Sequence, residues 1–136
     1  MRLPALFFLS LAFTLSAAQA GPIEERQANF KANNQAMRAI ASLIGAGDMA
    51  GIAQNARQIA SWADKMADYF PAGSDSRGAS PAIWQNFDDF KAKAAANKTA
   101  ALRIVDLADA GQKAEIGAAL QALGGSCKSC HFSYKN

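Results

Sequence analysis

Two cysteines and one histidine near the C-terminal end have a spacing that could support chemistry. Cys127 and Cys130 are separated by two residues, and His131 follows directly. On a helix, side chains at positions i and i+3 lie on the same face, so both thiols could reach the two vinyl groups of one haem. The imidazole that follows could then ligate the iron. This C-x-x-C-H pattern is the attachment signature of haem c and predicts one haem held by two thioether bonds.

Two other uses of these residues are less consistent with the sequence. A thioredoxin-like dithiol is expected where a strand is followed by a helix, whereas this part of the chain has a helical pattern. A structural zinc site needs four ligands, and residues 21–136 contain two cysteines and one histidine. Haem attachment is therefore the favoured interpretation, with His131 as the protein ligand of the iron.

The elements that must position this motif are helices. Alanine is abundant, and apolar residues recur at intervals of three and four, which is typical of amphipathic helices. The first two helices are predicted at residues 23–46 and 48–70. After a connection at residues 71–80, a third helix opens at Pro81 and ends before Gly111, and a fourth carries an apolar stripe over residues 116–134. This organisation predicts an all-α fold, an antiparallel four-helix bundle.

The first 20 residues have the features of a cleaved secretory signal peptide. Arg2 precedes an apolar stretch at residues 6–15, and Ala18-Gln19-Ala20 forms a small-residue cleavage site before Gly21. The alternative, a membrane anchor, needs about 20 apolar residues, and this stretch is shorter. Residues 21–136 are thus expected to form one domain in the bacterial periplasm, with no membrane segment after cleavage.

The position of the motif and its surroundings resemble the class II c-type cytochromes, the cytochrome c′ family. The resemblance rests on Arg26-Gln27 in the first helix, on Pro81-x-Ile83-Trp84 opening the third, and on the ending from Gly125 to Lys135. It covers residues 21–136 and implies a four-helix bundle with one haem c. It also implies that Arg26 and Gln27 approach the haem propionates. Lys135 matches a position that is usually basic in the family.

The resemblance further implies that one first-helix position, four residues after Arg26, governs the second axial site of the iron. Low-spin members have a coordinating methionine there, and members with an open site have a residue that cannot coordinate. This chain has Phe30, whose ring has no lone pair to donate, so a five-coordinate, high-spin iron is expected. Met37 lies seven residues later on the same face and is the alternative sixth ligand, although a methionine in an apolar stripe usually packs in the core.

Two classes of function remain open from the sequence. A one-electron carrier would exchange electrons with a redox partner protein, whereas a gas-binding protein would take nitric oxide or carbon monoxide at an open iron site, for sequestration or sensing. Family members often form homodimers through their first two helices. Nucleic acid is not an expected partner because the net charge is only +3 and the basic residues are interspersed with acids. No acid–base constellation accompanies the motif, so an enzyme is not expected.

Overall fold

The structure is a computed structural model that describes residues 21–136. The predicted signal peptide, residues 1–20, lies outside the described residues. The main elements are five α-helices: α1 (Pro22–Ala46), α2 (Met49–Lys65), α3 (Ala82–Gln85), α4 (Phe87–Asp109) and α5 (Lys113–Tyr134). Within residues 21–136, no helix is long and apolar enough to cross a membrane.

The four long helices form an antiparallel bundle, as the sequence predicts. Helix α2 packs against α1 and α4, and α5 packs against α4 and α1, so each long helix has two long neighbours. Short turns join α1 to α2 and α4 to α5, which makes these neighbours antiparallel. As a result, the start of α1, the end of α2, the start of α4 and the end of α5 meet at one end of the bundle.

Local signals in the sequence set the turns. Gly47 ends α1 with φ 73°, a left-handed conformation that glycine adopts without steric cost. Its N–H donates to the carbonyls of Leu43 and Ile44. The carboxylate of Asp48 then accepts a hydrogen bond from the N–H of Gly51 at 2.9 Å and caps α2. These contacts position α1 and α2 side by side.

Two of the predicted helices differ in detail from the structure. The second continues from α2 into a 3-10 helix over Met66–Tyr69, so its last turn is tighter than predicted. The third is interrupted at Asn86, which has φ −132° and ψ 47°. The Asn86 side chain donates to the carbonyl of Ala82, which also accepts the backbone N–H of Asn86, so two donors share this acceptor at the end of α3. The break separates α3 from α4, so the predicted continuous third helix is wrong at this point.

The core has two parts along the bundle. One is mainly aliphatic and includes Ile40, Ile52, Ile104, Ile116 and Leu123, all fully buried. The other is rich in aromatic residues and lies at the end where α5 finishes. There the ring centroids of Phe70 and Phe90 are 4.8 Å apart, and those of Phe90 and Tyr134 are 5.4 Å apart. This aromatic part forms the surroundings of the predicted site.

Candidate haem-attachment site

A cavity of about 440 Å³ lies at the aromatic end of the bundle. This volume is within the range of about 300–1,000 Å³ that is usual for ligand and cofactor sites. All six residues that the sequence analysis assigned to the site line this one cavity: Arg26, Gln27, Phe30, Cys127, Cys130 and His131. The fold therefore brings residues from the two ends of the chain to the same space.

Helix α5 presents both thiols to this cavity. Cys127 and Cys130 are partly buried. Burial raises the pKa of Cys130, and the nearby charge of Lys93 opposes this shift. The thiols lie on successive turns of one helix face, which is the arrangement that two thioether bonds to one haem require.

His131 follows Cys130 and lies at the border between cavity and solvent. The residue is exposed, but its side chain also lines the cavity. Partial desolvation lowers the pKa of His131, and the positive charge of Lys135 lowers it further. Both effects favour the neutral imidazole, which keeps a nitrogen lone pair available for a metal. The residues present thus fit a covalently attached haem with one histidine ligand.

Among the charged residues of the described part of the chain, Arg26 is the most buried, at 2% exposure. Its guanidinium donates four hydrogen bonds, to the carbonyls of Tyr69 and Ser74 and to the hydroxyls of Ser74 and Ser76. A guanidinium has five N–H groups, so the Nε–H is the one left for another acceptor. Burial lowers the pKa of Arg26, and the charges of Asp75 and Glu24 oppose this shift. The structure therefore gives Arg26 a role in holding the loop between α2 and α3.

Phe30 and Met37 border the cavity at different heights along α1. The ring of Phe30 is half-buried and packs edge-on against Trp62, with the centroids 5.5 Å apart. Met37 packs beside the aliphatic part of the core, and its methyl carbon lies 3.9 Å from where a Cβ on Gly124 would be. Gln27 is exposed at the rim. Phe30, which cannot coordinate iron, and Met37, the alternative sixth ligand, thus both line the cavity.

Asn97 on α4 is a site residue that the sequence analysis missed. It is buried at 6% exposure and lines the cavity. Its side-chain amide donates to the hydroxyl of Ser126 at 2.9 Å and lies 3.3 Å from the sulfur of Cys127. The available signal was a polar residue on the otherwise apolar stripe that contains Phe90, Ala94 and Ala101. Asn97 positions the first thiol from the neighbouring helix.

Asp89, also missed by the sequence analysis, holds the end of α5 beyond the motif. Its carboxylate accepts a hydrogen bond from the hydroxyl of Tyr134 at 2.5 Å. This bond raises the pKa of Tyr134 to about 12. The same hydroxyl lies 3.3 Å from the carbonyl of Asn86. The end of α5 is thereby tied to the start of α4 at the helix break.

Sequence comparisons show the family of this chain. The sequence model of the family described as Cytochrome C′ matches residues 21–135. A cytochrome c′ from Rhodospirillum rubrum is 37% identical over 126 residues, which cover 88% of this chain and 85% of the relative. A cytochrome c-556 from Agrobacterium tumefaciens is 36% identical over 120 residues, covering 85% of this chain and 98% of the relative. The chain belongs to the cytochrome c′ family.

Solved structures of the same family have the same fold. The cytochrome c′ from Thermochromatium tepidum aligns with a TM-score of 0.76 at 28% identity, over 84% of this chain and 94% of that one. A nitric oxide complex of a leucine-to-valine variant from Alcaligenes xylosoxidans aligns with a TM-score of 0.76 at 25% identity, over 87% and 98%. A cytochrome c′ described as having an unusual ligand-controlled dimer dissociation aligns with a TM-score of 0.78 at 27% identity, over 87% and 98%.

The family and the site together define the general function. The protein is a haem-binding, electron-carrying cytochrome, and its cofactor is covalently attached haem c. The relatives carry two kinds of name, cytochrome c′ and cytochrome c-556. The ligands of the iron in this protein therefore depend on the residues that line its own cavity.

Proposed function

We propose that this protein is an exported one-electron carrier whose iron has His131 as its only protein ligand. Export is supported by the signal features at residues 1–20. The observation that carries the coordination is Phe30, an aromatic ring that borders the cavity on α1 and has no donor atom for a metal. Five-coordinate, high-spin iron follows from this arrangement.

The residues of the cavity would divide the work of binding and orientation. Cys127 and Cys130 would hold the cofactor by thioether bonds, and neutral His131 would ligate the iron. Asn97 would orient the first cysteine, and the Nε–H of Arg26 is the group available for a propionate. When bound, haem supplies one-electron chemistry between ferric and ferrous iron.

Absorption and electron paramagnetic resonance spectra of the ferric and ferrous protein test the coordination. The wild type should be high-spin. Phe30→Met should supply a thioether ligand, convert the iron to six-coordinate low-spin and raise its reduction potential, as histidine–methionine ligation does. Met37→Leu is the matched variant and should leave the spectrum unchanged.

The opposite pattern would identify Met37 as a ligand. In that case the wild type would be low-spin, Met37→Leu would make it high-spin, and Phe30→Met would change little. Such a result would overturn the open-site proposal while leaving thioether attachment intact.

Partners follow from the carrier function. We propose a redox partner protein as the physiological partner and self-association into a homodimer, which sedimentation at several concentrations would reveal. One similar cytochrome c′ is described as having an unusual ligand-controlled dimer dissociation.

Other similar structures have been solved as nitric oxide complexes. Gas sequestration or sensing is the less favoured function for this chain. Carbon monoxide nevertheless remains a useful probe, since an open ferrous site should bind it. We do not propose catalytic turnover.

A further inference from the structure

Phe132 is a large aromatic side chain that faces solvent beside the haem-attachment site. It is 94% exposed, whereas the other exposed large apolar side chain among residues 21–136, Leu102, is 39% exposed. Phe132 directly follows His131 in α5. Single apolar residues are common on protein surfaces, so exposure alone does not indicate a function. The charges around the ring supply the second observation.

Two lysines lie close to Phe132 along the chain. Lys128 precedes Phe132 by four residues, which places the two on one face of α5. Lys135 follows the last turn of the helix and lines the cavity beside His131. Both lysines are exposed, and neither forms a salt bridge within the described part of the chain. Phe132 therefore has one lysine on its own helix face and a second three residues later, next to the expected iron ligand.

Acidic groups near this surface belong to another helix. Residues 116–136 contain no aspartate or glutamate, so this segment carries no acidic side chain. On α4, Asp88 pairs with Lys91 at 2.7 Å, and Asp89 binds Tyr134 and lies 3.8 Å from Lys93. The charged side chains that α5 carries around Phe132 are thus positive, and Asp88 and Asp89 of α4 are already bonded to other side chains.

We infer that Phe132, Lys128 and Lys135 form a docking surface for an acidic redox partner protein, an inference that rests on the proposed carrier function. An exposed aromatic residue at the centre with charges around it is the usual composition of a protein interface. Positive charges steer an acidic partner and raise the rate of encounter. Phe132 directly follows His131, the expected iron ligand, so a partner that docks here would come close to the haem site.

A reduced, acidic [2Fe–2S] ferredoxin is a suitable probe for stopped-flow measurements with the ferric haem protein. One electron moves from the cluster, which is oxidised, to the haem iron, which becomes ferrous. The rate is measured at low and high ionic strength for Lys128→Glu and Phe132→Ala. Lys113→Glu is the matched charge control, an exposed lysine at the other end of α5. Leu102→Ala is the matched apolar control.

At low ionic strength, Lys128→Glu should lower the second-order rate constant about tenfold, and salt should remove the difference. Lys113→Glu should change it less than about twofold, because that charge lies far from the docking surface. Phe132→Ala should lower the rate constant about threefold to tenfold at both ionic strengths, since an apolar contact is not screened. Leu102→Ala should have no effect.

Two results would overturn the docking surface. Equal effects of Lys128→Glu and Lys113→Glu would mean that only net charge matters. If Phe132→Ala leaves the rate constant unchanged and the variant no longer self-associates in sedimentation, the surface binds a second copy of the chain and not a redox partner. Failure of the carrier function is distinguishable, because electron transfer from the ferredoxin to the wild type would then be slow at both ionic strengths, whereas a wrong docking surface would leave that rate high and insensitive to Lys128→Glu.

Discussion

Replacing Arg26 by methionine tests whether this buried arginine holds the loop between α2 and α3. Arg26→Met keeps an apolar stem of similar length but removes the charge and all the N–H donors. In the structure, those donors bond to Tyr69, Ser74 and Ser76. The guanidinium carbon also lies 4.3 Å from the ring centroid of Phe70, so the arginine covers that ring. The variant should loosen the loop and leave the bundle folded.

The expected loss of stability can be estimated from these bonds. A hydrogen bond from a charged donor contributes at least about 1.5 kcal/mol, so four such bonds would contribute about 6 kcal/mol if they acted independently. They share one loop and are not additive. The buried guanidinium also carries a desolvation cost that methionine relieves. A net loss of about 3 kcal/mol in the free energy of unfolding is expected.

Urea denaturation of the haem-loaded protein, followed by circular dichroism, measures this loss. Limited digestion with trypsin reports on the loop itself, because Arg77 is an exposed cleavage site within it. If local opening governs cleavage, about 3 kcal/mol corresponds to a roughly 100-fold faster cut at Arg77. Arg38→Met is the matched control, an exposed arginine farther along α1.

One combination of results would refute the reasoning. If Arg26→Met leaves both the urea midpoint and the cleavage at Arg77 unchanged, the loop does not depend on this side chain. If the same variant then alters the pH dependence of the reduction potential, the guanidinium is committed to a haem propionate. Arg38→Met should change none of these measurements.

Three further predictions concern the walls of the cavity. Acidified acetone should extract haem from a variant in which both Cys127 and Cys130 are alanine, while the wild type keeps its colour; extraction from the wild type would contradict thioether attachment. Phe30→Ala should lower the free energy of unfolding in urea by about 1–2 kcal/mol, less than for a fully buried phenylalanine, because the ring is half-buried; a loss above about 4 kcal/mol would place the ring in the core. The hydrogen bond to Asp89 raises the pKa of Tyr134 from 10 to about 12, so its stabilising effect should be complete below pH 10 and disappear as the pH rises towards 12; a difference in thermal midpoint between wild type and Tyr134→Phe that stays constant over this range would argue against that bond.

Much of the fold could be predicted from the sequence because its signals are local. Helix periodicity depends on residues three and four apart, and the turn at Gly47 and Asp48 depends on backbone conformation and capping within a few residues. The C-x-x-C-H motif is also local, since its three groups lie within about one turn and a half of helix. Interactions of this range do not require knowledge of which helices pack together.

Tertiary structure alone decided which partners the polar side chains meet. Arg26 bonds to Ser74 across 48 positions of sequence, and Asn97 reaches Cys127 across 30. The break at Asn86 is likewise stabilised from a distance, through the hydroxyl of Tyr134 at the far end of the chain. A buried donor bonds to the acceptor that packing places beside it, and that choice depends on how the helices dock rather than on the spacing of residues along any one of them.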